Sequence, residues 1–144
     1  MKMKLWLLML LVFFFTVFSF YVLASEKWIQ IGTIPLNGRV NFKAIELNGK
    51  IYLLGGVSSE KGTTNLVDVY NPKNNAWMPV NPMKEKKTNF AASAYQGKIY
   101  VIGGYREDGR FFMNTVEIYN PENNTWSKGK PLPSRRGWME SAVS

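Results

Sequence analysis

The sequence predicts an all-β protein built from four-stranded antiparallel sheets of roughly 48 residues each, repeated along the chain. Three observations predict it. The phrase "NGKIYLLGG" at 48–56 returns as "QGKIYVIGG" at 96–104. The phrase "VDVYNPKNNAW" at 67–77 returns as "VEIYNPENNTW" at 116–126. Trp28, Trp77 and Trp126 stand 49 residues apart, and each is followed by a proline and an apolar residue: Pro35-Leu36, Pro82-Met83 and Pro131-Leu132.

Residues 1–25 stand outside the repeat. Met1-Lys2-Met3-Lys4 is basic, Leu5–Leu23 is 19 residues without a charge, and small residues around Ala24 offer a cleavage point, the pattern of a signal peptide. As a helix, a run of this length spans roughly 28 Å, close to the ~30 Å hydrocarbon core, so an uncleaved signal anchor is the alternative. In both cases Lys2 and Lys4 favour a cytoplasmic N-terminus. The expectation is an exported protein, secreted, periplasmic or membrane-anchored, with residues 26–144 outside the cytoplasm.

The repeat follows. "EKWIQIGTIPL", 26–36, aligns with the last strand of a unit whose first three strands are absent. In the first complete unit, 37–83, "FKAIELN" (42–48) and "KIYLLGG" (50–56) are β-forming runs joined by Asn-Gly, a hairpin signal. A loop, 57–65, leads to "VDVYN", whose apolar–polar alternation predicts a strand with one buried face. Asn-Pro-x-Asn-Asn then turns the chain, since proline presets φ and asparagine tolerates the left-handed region, and the last strand centres on Trp77. The second unit, 84–133, repeats this order with "FAASAYQ" (90–96), "KIYVIGG", a loop over 105–114, "VEIYN" and Trp126. Residues 134–144 begin a third: "WMESAVS" aligns with "FAASAYQ".

Gly55-Gly56 followed by Tyr70 and Trp77, and Gly103-Gly104 followed by Tyr119 and Trp126, resemble the Kelch repeat. That resemblance implies Kelch-type β-propeller blades; period and strand pattern alone leave other β-repeat arrays open. It further implies that 26–36 is a lone closing strand of a preceding blade. Two complete blades are fewer than the 4–8 of a typical propeller. The expectation is an incomplete ring behind an N-terminal hydrophobic helix, the first part of a longer protein. Self-assembly, or a separate C-terminal half, is the alternative.

The chain has no cysteine and no histidine, which excludes disulfides, thiolate metal sites and the commonest general base. No cofactor and no metal are expected. The net charge of +8 falls by two, to +6, when Lys2 and Lys4 are set aside, favouring anionic partners; outside the membrane, nucleic acid is not among them.

Most prominent residues read as structural. Tyr70, Trp77, Tyr119 and Trp126 are expected to fill the space between blades. The glycine pairs are expected to permit close backbone approach or positive φ, not phosphate binding. Asn123-Asn124-Thr125 is formally a glycosylation sequon but reads as turn chemistry, since Asn74-Asn75-Ala76 makes the same turn.

Function is expected in the loops. Antiparallel strand order places the inter-blade loops (37–40, 84–88, 134–137) on the same face as the loops after the glycine pairs. That face collects Arg39, Lys61, Lys84, Lys86, Lys87, Arg106, Arg110, Arg135 and Arg136. Arginine's bidentate fork suits carboxylates, so Arg135, Arg136, Arg106, Arg110, Arg39 and Lys86 form the candidate binding set. The plain alternative is a rim of solvated charges.

Three function classes remain open. The first is a non-catalytic binding module for a protein or an acidic glycan. The second, implied by the resemblance, is a fragment of an exported propeller enzyme like the sialic acid mutarotases, with Glu140 beside Arg135. The copper-radical galactose oxidases share the architecture, but their Cys–Tyr crosslink and histidine ligands have no counterparts here. The third is a non-functional remnant.

Overall fold

A computed structural model describes residues 39–106 and 111–143. The signal or anchor segment, the strand expected at 26–36 and Arg110 lie outside the described residues. Twelve strands form among the described residues, and no helix. They are Lys43–Leu47 (β1), Lys50–Leu54 (β2), Val57–Ser58 (β3), Gly62–Thr63 (β4), Val67–Asn71 (β5) and Ala76–Val80 (β6) in the first unit. In the second they are Ala91–Tyr95 (β7), Lys98–Ile102 (β8), Tyr105–Arg106 (β9), Phe111–Phe112 (β10), Val116–Asn120 (β11) and Thr125–Lys128 (β12).

Each unit is one four-stranded antiparallel blade, ordered β1-β2-β5-β6 and β7-β8-β11-β12. The first hairpin of each turns on two residues of positive φ, Asn48 (55°) and Gly49 (73°) or Gln96 (48°) and Gly97 (72°). Such turns twist in the same sense as the strands they join. The β5–β6 and β11–β12 turns each end on a left-handed asparagine, Asn75 (51°) and Asn124 (54°). Its side-chain oxygen accepts a hydrogen bond from the blade's tyrosine: Tyr70 Oη donates to Asn75 Oδ1 at 2.8 Å and Tyr119 Oη to Asn124 Oδ1 at 2.9 Å. In the sequon, Asn123 is exposed and Oδ1 accepts from Thr125 Oγ1 at 2.6 Å.

The core lies between the two blades. Tyr52, Leu54, Val67, Val69 and Met83 of the first pack with Phe90, Ile99, Val101, Tyr119 and Trp126 of the second. Tyr52 meets Tyr119 edge-on, ring centroids 5.9 Å apart, and the Trp126 indole N–H donates to Asn81 O at 2.7 Å. Burial, with the neighbouring Tyr52 adding to it, pushes the Tyr119 phenol up to about 12. Tyr119 and Trp126 therefore fill the inter-blade space, as expected. Tyr70 is buried and packs against Trp77, ring centroids 5.0 Å apart and planes tilted by 39°; Trp77 is half-buried.

Gly55 and Gly103 have positive φ, 55° and 60°. A Cβ on Gly55 would stand 2.8 Å from Lys87 O, and one on Gly103 would stand 2.6 Å from Arg136 O. The glycine pairs are thus places where the next blade's entry segment lies against the backbone.

Two sequence expectations change. The loops at 57–65 and 105–114 carry two-stranded ribbons, with Val57 opposite Thr63 and Tyr105 opposite Phe112. Two-residue strands are too short to show a period, but pairing satisfies their backbone groups. β5 also does not bury one face only: Val67, Asp68, Val69 and Tyr70 are all buried. The acidic position is covered because a cation from the entry segment of the same blade lies over it. Arg39 pairs with Asp68, and Lys87 Nζ lies 2.8 Å from Glu117 Oε2. Residues 138–143 form no strand; Trp138 N donates to Asn89 O at 2.7 Å and Ser141 Oγ bonds Ser93 Oγ at 2.6 Å, which carries the segment past β7.

Candidate functional site

The loops expected to share a face do so. Val40 pairs with Val57 and Thr88 with Tyr105 in isolated antiparallel bridges, tying each entry segment to the ribbon of its own blade. The expected basic rim, however, divides into three groups.

Arg39 and Lys87 are not on the rim. Both side chains are 0% exposed. Arg39 bonds Asp68 and the carbonyls of Gly55 (3.4 Å) and Leu66 (3.5 Å). Lys87 Nζ reaches Glu117, Glu85 Oε2 (3.2 Å) and Thr115 Oγ1 (3.1 Å). Glu117 Oε1 in turn accepts the Lys84 N–H at 2.6 Å. Burial raises the Glu85 carboxyl, but the Thr115 hydrogen bond and the charges of Lys87 and Arg106 outweigh it and hold it below the usual carboxylate value. These groups fix each entry segment onto its own blade. Arg39 thus leaves the binding set, because a buried cation is held by the partner that compensates its lost hydration. Asp68 and Glu117 were missed in the sequence, although both halves of the pair recur there: Arg39 and Lys87 are 48 apart, Asp68 and Glu117 are 49 apart.

Lys61, Lys84, Lys86 and Arg136 are exposed and dispersed. Arg136 stands at the repeat position of Arg39 and Lys87. Its backbone is seated likewise: Gly104 N donates to Arg136 O (2.9 Å), as Gly56 N does to Lys87 O (3.1 Å). Its guanidinium bonds Ser134 Oγ at 2.5 Å.

The third group converges. Arg106 on β9 and Arg135 on the entry segment place their guanidinium carbons 5.4 and 5.5 Å from the centroid of the exposed Phe111 ring. Cation–π attraction holds two like charges beside one ring. Arg106 and Phe111 are cross-strand partners in the β9–β10 ribbon, and Tyr105 and Phe112 are the next pair along it. Neighbouring pairs point to opposite faces, so the ribbon is cationic on one face and aromatic on the other. On the aromatic face Trp138 lies 5.9 Å from Tyr105 in a stacked arrangement and 5.1 Å from Phe112 edge-on. Glu140 pairs with Lys43, not with Arg135, which corrects its expected neighbour. Among the described residues, no group of acidic side chains could hold a metal.

The Kelch motif matches residues 38–84 and 86–133. The chain belongs to the Kelch family. Its Kelch repeats are similar to Kelch-like protein 41a of Danio rerio, 34% identical over 90 residues, covering 62% of this chain and 15% of that protein. They are also similar to the N-acetylneuraminate epimerase of Haemophilus influenzae (strain PittEE), 40% identical over 58 residues, 38% of this chain and 16% of the enzyme. The chain thus spans about a sixth of the length of the curated relatives it matches. Among solved structures, that of YjhT superposes with a TM-score of 0.67 at 21% identity, over 77% of this chain and 44% of that one, which supports the blade fold of these Kelch repeats.

Proposed function

We propose that this Kelch-repeat chain is a non-catalytic binding module that takes a carboxylate-bearing partner, a protein or an acidic glycan, on the Arg106–Phe111–Arg135 face. One observation carries the reading: two guanidinium groups meet on one exposed ring. An anion placed between them relieves their mutual repulsion and can be gripped by both forks. The reading goes with export directed by residues 5–23, cleaved or retained as an anchor, as their apolar, uncharged run suggests.

Titration of polyglutamate and polygalacturonate against the wild-type chain and an Arg106→Gln, Arg135→Gln variant tests it. Binding of either polymer that weakens as salt rises, and about tenfold or more in the variant, supports the reading. Equal binding by the variant overturns it.

A second reading has the similarity to N-acetylneuraminate epimerase in its favour: the chain is part of an enzyme acting on an acidic sugar. Following the anomers of N-acetylneuraminate by NMR decides it, since a rate no faster than the uncatalysed one removes it for this chain.

A further inference from the structure

The first hairpins of the two blades share a backbone but differ in chemistry. One turns on Asn48-Gly49 and the other on Gln96-Gly97, with φ of 55° and 73° against 48° and 72°. An asparagine side chain is open to attack by the backbone nitrogen of the residue after it, closing a five-membered imide. Glutamine has to close a six-membered ring, which is much slower. Glycine as the following residue brings no Cβ to shield that nitrogen. A Cβ placed on Gly49 meets nothing within 4 Å, and neither does one placed on Gly97, although the second blade packs on the first. The openness therefore belongs to the turns themselves, which lie beyond the strand ends. Asn48 stands where imide closure is fastest, in the turn that fixes the register of β1 on β2.

One contact opposes that chemistry. Gly49 N, the attacking nitrogen, donates to Glu46 Oε1 at 2.7 Å. Attack requires this nitrogen to turn onto Asn48 Cγ and to give up the proton that the carboxylate holds. Glu46 sits opposite Ile51 on the neighbouring strand; at the same repeat position, opposite Ile99, the second blade has Ala94, which has no side-chain oxygen. The reactive turn has an acceptor over its nitrogen and the slow one does not.

We infer that Asn48 is a site of spontaneous deamidation and that Glu46 slows it by holding the Gly49 N–H. In the reaction Gly49 N bonds to Asn48 Cγ, the Cγ–Nδ2 bond breaks, and the side-chain nitrogen leaves as ammonia with the Gly49 proton. Water then opens the imide at one carbonyl or the other, leaving aspartate or isoaspartate. Isoaspartate routes the chain through the side-chain carbon and lengthens the turn by one atom, which a two-residue turn with both φ positive does not accommodate. Glu46 thereby sets how long the first blade keeps its hairpin.

The test incubates wild type, Glu46→Ala, Glu46→Gln and Gln96→Asn at mildly alkaline pH and reads the amide-to-acid mass gain at each position by peptide mapping. Asn37-Gly38, which lies outside the described residues, is resolved as a separate peptide. Conversion at position 48 is expected to be faster in Glu46→Ala than in wild type by about threefold or more, as loss of an exposed hydrogen bond implies. Glu46→Gln, which keeps an acceptor oxygen, is expected near the wild-type rate. In Gln96→Asn, position 96 is expected to convert faster than position 48 of the same molecule, a comparison that folding stability does not affect. In urea, wild type and Glu46→Ala are expected to convert alike. Equal rates at position 48 in folded wild type and Glu46→Ala would overturn the inference. So would a Glu46→Gln as fast as Glu46→Ala, a position 96 no faster than position 48 in Gln96→Asn, or a Glu46→Ala effect that persists in urea.

Discussion

Lys87 and Glu117 supply the sharpest test of how an entry segment is held to its own blade. In Glu117→Leu the ammonium group keeps Thr115 at 3.1 Å and Glu85 at 3.2 Å, but loses the carboxylate at 2.8 Å that is itself buried, 3% exposed against 31% for Glu85. Removing one partner of a buried pair costs about 3–5 kcal/mol. Retention of the more exposed Glu85 puts this variant near the lower end, about 3 kcal/mol. Lys87→Met leaves Glu117 with the Lys84 N–H, so its cost is smaller, about 2 kcal/mol. The double variant replaces ion pair by apolar contact, often neutral, and is expected about 2 kcal/mol below wild type, giving a coupling of about 3 kcal/mol. Urea unfolding reads these values. With m of about 1.5 kcal/mol/M, the Glu117→Leu midpoint moves down by about 2 M. Total stabilities of about 5–15 kcal/mol leave room to measure that loss. Additive single effects, each under about 0.5 kcal/mol, would show that the pair is solvated and refute its role as a lock.

Two more predictions follow from the inter-blade contacts. Gly103→Ala forces a Cβ within 2.6 Å of Arg136 O at a φ of 60°, so it is expected to lower stability by about 1–3 kcal/mol, read as a drop in melting temperature. Tyr119, raised to about 12, and Tyr52, also raised by burial, bind their protons more tightly folded than unfolded. Their contribution is therefore full below the ordinary tyrosine value near 10 and is lost as pH rises from there towards 12. A phenolate absorbance titration at the ordinary tyrosine pKa for both would contradict that.

The blades were legible because backbone chemistry repeats with the sequence. Asn48-Gly49 and Gln96-Gly97 form the hairpin turns their residues predict, and Asn75 and Asn124 adopt the left-handed turn that Asn-Pro-x-Asn-Asn suggests. The site was less legible for two reasons. Counting cations by loop does not register depth: Arg39 and Lys87 lie in the predicted loops, yet each faces inward onto an acidic residue 29 or 30 positions further on. The aromatic cluster had no period to expose it, because Tyr105, Phe112 and Trp138 come from two ribbon strands and the next entry segment. Only folding the ribbon back on itself places them together.

In a repeat protein, each position carries its own control, and departures from the control locate what stacking alone does not require. Asp68 and Glu117 differ in length but keep their charge, as Arg39 and Lys87 do, because the buried pair constrains both members. Substitution there follows packing. At the left-handed position the constraint runs against bulk, and Asn41 and Asn89 obey it. Trp138 departs from it, held in place by its N–H bond to Asn89 O and by the rings of Tyr105 and Phe112.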